Sequence, residues 1–145
     1  MPGIIVGIDG SAHSRRALEW AINEAAIRQA PVTVLTVHQA VAGWSGPVAY
    51  PGDAELTDAA RKKVRTETDN VLEKLAAGVR PPSVTVEAVN GFPTAELLKA
   101  AADADMIVVG SRGAGGFTQL MLGSVSSQIV HHARCPVVIV PGDRD

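Results

Sequence analysis

What most limits the folds open to this chain is an alternation that runs from one end to the other. Short runs rich in β-branched residues take turns with longer stretches whose apolar residues recur at helical spacing. The first run, "IIVGI" at 4–8, has the unbroken hydrophobicity of a strand buried on both faces. "DGSAHS" interrupts it, and Ser11 stands where a helix N-cap is expected. Leu18, Ala21, Ile22 and Ala25 then repeat at i, i+3, i+4 and i+7, which predicts a helix through about Arg28.

The same events follow three more times. "VTVLTVH" (32–38) reads as a second strand. A helix is expected from about Glu55 to Ala77, with Leu56, Ala60, Val64, Val71, Leu72 and Leu75 facing inward. "PPSVTVEAV" holds a third strand, and "FPTAELLKAAADA" a third helix that opens on Pro93 and Thr94. "MIVVG" (106–110), "SVSSQIVHHA" and "PVVIV" (136–140) supply strand, helix and strand. Between them, residues 39–54 are rich in Gly and Pro without a period, and read as one long loop of the kind that often carries function.

Five strands alternating with four helices imply an α/β fold with one parallel sheet and helices on both faces. Right-handed crossovers leave few windings, and the half-Rossmann order 3-2-1-4-5 is the one expected. The 145 residues suit a single domain covering 1–145, with no composition break or repeat. In this order the first and fourth strands lie side by side and the chain leaves them in opposite directions. Ligands bind at such a switch point, beyond the carboxyl ends of the strands. The two most glycine-rich strand exits, "GIDGS" and "GSRGAGG", are the two that flank it.

Composition removes several classes of function. A net charge of −2 and 3% aromatic residues argue against a basic nucleic-acid or membrane-surface binder and against a base-stacking platform. "RKKVR" (61–65) is followed by Glu67, Asp69 and Glu73, which marks a solvated helix face. Cys135 is the only cysteine, so no internal disulfide or cysteine metal cage forms, and a small buried residue is expected there. No apolar run approaches the ~20 residues of a membrane span. The first strand starts almost at once, leaving no room for a signal peptide, so the expected address is the cytoplasm.

The stretch "MIVVGSRGAGGFTQLMLGSVSSQIV" (106–130) carries the chemistry. Glycine amides running into a helix start present N–H donors and a positive dipole end to an anion. Ser124 and Ser126 at that start suit either capping or a phosphate oxygen, with Ser124 as a simple N-cap the plainer role. Arg112 adds a charge, and Asp9 is an acceptor suited to a ribose hydroxyl. No Gly-Lys-Ser/Thr is present, so this is not a P-loop. "GAGGFT" lacks the last glycine of a dinucleotide fingerprint and follows the wrong strand.

Gly113, nine residues, then Gly123 and Ser124, preceded by Gly110, form a G-x2-G-x9-G-S pattern. It resembles the nucleotide motif of the ATP-binding universal stress proteins, and "IIVGIDGSAHSRRALEWA", "ADMIVVGSRG" and "MLGSVSSQIVHHARCPVVIVP" are similar to that family's opening, fourth-strand and closing segments. The resemblance implies that Asp9 faces the ribose, with Gly7 and Gly10 framing the exit and Val37 offering its backbone to adenine. It implies that Gly110, Ser111, Arg112, Gly113, Gly115, Gly116, Gly123, Ser124 and Val125 surround the phosphates, with Ser126 nearby. ATP with Mg2+ riding on its phosphates is the implied cofactor. A homodimer through the last strand, Pro136 to Val140, is the implied assembly, and it would cover an apolar edge. A nucleotide-dependent stress-response or signalling module is the expected function.

The alternatives are a slow ATP hydrolase or phosphotransferase, and a dimerising module without nucleotide. No carboxylate stands out to orient an attacking water, so no catalytic residue is assigned. His131 and His132 suit the end of a helix better than a metal site. His13 lies near the first strand's exit, His38 near the expected adenine edge, Trp20 in helix packing and Trp44 in the loop.

Overall fold

All five residues of β1 (Ile4–Ile8) are buried, because this strand has neighbours on both sides and helices on both faces. β2 (Val32–Gln39) and β6 (Met106–Gly110) flank it. β5 (Val84–Gly91) and β7 (Val137–Val140) form the edges, giving the order β5-β2-β1-β6-β7. Every pairing in this sheet is parallel, with Ile4 opposite both Val32 and Met106. Counting only these strands, the order is 3-2-1-4-5, as the sequence implies. The computed structural model describes residues 3–39, 41–43, 46–48, 52–112 and 122–142.

Alternation along β1 divides the core into two layers. Ile4, Val6 and Ile8 meet Ala17, Leu18, Ala21, Ile22 and Ala25 of α1 (Ala12–Arg28) and Val64 of α2 (Asp53–Glu73). Ile5 belongs to the opposite layer, with Leu97 of α3 (Pro93–Ala100) and Ile129 of α4 (Ser124–His132). The scarcity of aromatics is met by Ala on α1, which lets the helix lie close to the sheet. Full burial of a Leu or Ile such as Leu18 or Ile22 contributes about 1.5–3 kcal/mol.

Four expectations need correction. The segment 39–54 is not one loop: β3 (Val41–Gly43) and β4 (Gly46–Val48) form an antiparallel pair in a separate two-stranded sheet. Strands of three residues are too short to show an alternating pattern. The second helix starts earlier and ends earlier than its pattern suggests, beginning after Gly52, whose φ of 90° favours glycine. Its inward stripe also starts later, since Leu56 is 56% exposed and Thr68 is fully buried in its place. Thr68 tolerates burial because its hydroxyl donates to the Val64 carbonyl at 2.8 Å. Trp20 stands at the surface, 36% exposed, and Trp44 lies outside the described residues.

Candidate functional site

Beyond the carboxyl ends of β1 and β6 the chain separates: α1 packs on one face of the sheet and α4 on the other. The separation opens a cleft of about 500 Å³. Gly7, Ile8 and Asp9 from β1 and its exit form one side, and Leu35, Thr36 and Val37 of β2 continue it. Pro93 and Leu97 of α3 form an apolar wall, while Gly110, Arg112 and the start of α4 form the polar end.

That polar end is a helix start without a side-chain cap among the described residues. The N-cap of α4 is Gly123, not Ser124, and it makes no side-chain capping bond; no acidic residue lies in the first turn. Ser124 is instead the first helical residue, exposed at the cleft. The leading amides of a helix have no intrahelical acceptor, and together with the dipole they attract an anion. Ser126 faces the same end but is buried, and its hydroxyl donates to the Gly110 carbonyl at 2.6 Å. Its proton is therefore committed to holding α4 against β6.

The β1 exit is built differently. Asp9 Oδ1 accepts from the Ser11 amide at 2.9 Å, a local turn that leaves the second carboxylate oxygen outside this bond. Ser11 caps α1 as expected, accepting from the Ser14 amide at 3.2 Å. Buried Ser14 accepts from the Asp9 amide and donates to the Ser11 carbonyl. Gly10 takes a φ of 86°, which explains its identity, but it does not line the cleft. Ser111 also stands off the wall: its amide donates to the Val140 carbonyl and its carbonyl accepts from the Gly123 amide.

A second hollow of about 550 Å³ lies between the first turns of α2 and β5. It is wide open, and its charges answer one another: Arg61 and Lys62 both pair with Asp58, at 2.9 and 3.1 Å, and His38 lies 3.2 Å from Asp53. The Arg61 hydrogen bond, then Lys62, holds the Asp58 carboxyl below its ordinary range. Thr57 Oγ1 and Asn90 Oδ1, on residues that line this hollow, are buried without a hydrogen-bond partner among the described residues, whereas the helix start and the glycine-rich exits lie at the switch point. Cys135 is partly buried, and burial pushes its thiol up, away from nucleophilic character. Among the described residues no cluster of His, Cys, Asp or Glu could hold a metal ion, and no helix is long and apolar enough to cross a membrane.

The sequence pattern of the universal stress protein family matches residues 2–141. The chain belongs to that family. A universal stress protein of Mycobacterium tuberculosis, Rv2005c, is 37% identical over 144 residues, which cover 97% of this chain and 48% of the relative. The chain thus spans about half the length of the curated relatives it matches. Among solved structures, the universal stress protein UspA from Lactobacillus plantarum superposes with a TM-score of 0.77 at 27% identity, covering 96% of this chain and 97% of that one. A universal stress protein in complex with cAMP superposes with a TM-score of 0.67 at 25% identity, covering 97% and 96%.

In this universal stress fold, Gly7, Asp9, Val37, Gly110, Arg112, Gly123, Ser124, Val125 and Ser126 come together on one cleft. Gly113, Gly115 and Gly116 lie outside the described residues. Two glycines have packing reasons: a Cβ on Gly7 would reach within 2.9 Å of Leu97, and one on Gly110 within 2.9 Å of the His13 backbone. Sequence reasoning missed Ile8, Ser14, Leu35, Thr36, Pro93, Leu97 and Val109 as cleft residues. A usable signal was Gly7 itself, since a glycine inside an apolar strand marks a close neighbour, and that neighbour is Leu97.

Proposed function

We propose that this universal stress protein binds ATP in the switch-point cleft and works as a nucleotide-dependent stress-response or signalling module. The observation that carries the reading is the start of α4, which has no side-chain cap among the described residues and turns its leading amides and Ser124 to the polar end of a cleft that Asp9 and Thr36 also line and that Leu35, Pro93, Leu97 and Val109 make apolar elsewhere. The triphosphate lies over Ser124 and Val125 with Arg112 beside it. The ribose faces Asp9, and the base lies toward Val37, Pro93 and Leu97. A related structure is described as a complex with cAMP, another adenine nucleotide, which supports the same class of ligand.

Among the described residues the polar end offers hydroxyl and amide groups and no carboxylate cluster, which fits a Mg2+ carried on the phosphates better than one held by protein ligands. A second copy of the chain pairs along β7, which among the described residues pairs with β6 alone and whose Val137–Ile139 are half-buried.

The first test is to purify the protein without added nucleotide, denature it and identify released small molecules by mass spectrometry, followed by titration with ATP and magnesium. Released or titrated ATP is the expected result. Absence of both retires the nucleotide reading. Sedimentation tests the dimer, which should dissociate when a proline replaces Ile139, whose N–H points away from β6.

A further inference from the structure

Ser111 bonds in three directions. Its amide donates to the Val140 carbonyl at 2.9 Å, its carbonyl accepts from the Gly123 amide at 2.8 Å, and its hydroxyl lies 3.3 Å from His13 Nδ1. The first of these ties it to the end of β7, the second sets the N-cap of α4, and the third reaches the first turn of α1. His13 in turn packs its ring against Gly142, where any Cβ would run into the imidazole. One turn further along α1, Arg16 Nε donates to the Pro141 carbonyl at 3.1 Å. The chain at 140–142 is therefore gripped by α1 on one side and Ser111 on the other. Neither His13 nor Ser111 lines the cleft.

We propose that Ser111 and His13 are positioning residues that fix the start of α4 to the chain leaving the edge strand β7, so that the polar end of the cleft and the β7 end are held or released together. The proposal deepens the ATP reading and rests on it for its effect on affinity. Its physical basis is that one peptide unit, Ser111, satisfies both ends of the arrangement. Moving Val140 displaces the Ser111 amide, and the displaced Ser111 carbonyl no longer orients Gly123. Linkage then works both ways: a ligand that favours the ordered α4 start also favours the ordered β7 end.

The variants are Ser111→Ala, His13→Ala, Gly142→Val and the conservative His13→Asn, whose amide can reach the place of Nδ1. Hydrogen exchange is measured on the nucleotide-free protein, and ATP affinity by calorimetry well below the melting temperature. The expected result for Gly142→Val and His13→Ala is faster exchange at 122–127 and 138–142 together, with 32–37 and 84–90 unchanged. ATP binding should weaken about three- to tenfold, the range that one neutral hydrogen bond spans, and His13→Asn should recover most of both effects. Faster exchange confined to 138–142, or general loosening that includes 32–37 and 84–90, overturns the link. So does an ATP affinity equal to the parent's despite faster exchange at 122–127. If the parent binds no ATP while exchange at the two segments still rises together, the ATP reading fails and the positioning link stands.

Discussion

Two helices start at the switch point, and they start in opposite conditions. α1 is capped by its own side chains: Ser11 accepts from the Ser14 amide, and Asp9 places a carboxylate on the Ser11 amide. α4 begins on Gly123 with no side-chain cap and no acidic residue in its first turn. The topology treats the two alike, since each follows a central strand and each dipole points its positive end at the cleft. Side chains break the equivalence. The α1 end is already served by an anionic group, and the α4 end is left for a ligand, which fixes the polarity of anything bound between them.

The strongest way to break the contrast is to give α4 the cap that α1 has. Gly123 sits at φ −65° and ψ 165°, a backbone any residue adopts, so Gly123→Asp supplies a carboxylate without demanding a glycine conformation. ATP affinity should fall at least tenfold, about 1.4 kcal/mol or more. An unchanged dissociation constant would move the phosphates off α4. The reciprocal change, Asp9→Ala, removes the anion from the α1 side. It should weaken ATP several-fold while inorganic triphosphate binds no worse than before, and equal weakening of the two would take Asp9 away from the ribose.

Smaller effects sharpen the same comparison. Ser11→Ala removes the α1 cap and should cost about 1 kcal/mol of folding stability by denaturant titration. Its ATP dissociation constant should stay within about twofold, because the α1 cap serves the fold and the α4 start serves the ligand. Raising salt from about 0.1 to 1 M shortens the screening length from about 10 Å to about 3 Å. Triphosphate binding should weaken more than adenosine binding in that titration, since only the α4 end attracts charge. Equal salt dependence for the two ligands would count against an electrostatic difference between the ends.

Much of this was legible in the residues. "IIVGI" read as a fully buried strand and is one, and "MIVVG" read as a strand and is one, buried throughout. Leu18, Ala21, Ile22 and Ala25 lie on the buried face of α1, and Ser11 caps it. Less was legible where local pattern and packing diverge. Leu56 has the right spacing for the inward stripe but sits on a turn of α2 that faces solvent, while Thr68 hides in the core behind a helix bond that sequence spacing does not register. The β3–β4 pair escaped notice because three residues cannot show a period of two. Ser124 looked like a cap, yet the chain enters α4 one residue earlier, and only the backbone angles distinguish the two.

By itself the sequence determined the order of the five sheet strands and their helices, the sheet winding and the pair of glycine-rich exits at the switch point. Hydrophobic periodicity and chain connectivity are local properties, and right-handed crossovers convert them into one topology. The tertiary structure alone decided which groups are already committed. Ser126 spends its proton on Gly110, Gly7 yields its space to Leu97, and Ser111 joins Gly123 to Val140. Each of these depends on segments far apart in the chain arriving within hydrogen-bond or van der Waals distance. Burial and hydrogen-bond satisfaction are set by those arrivals and not by the identity of the residue.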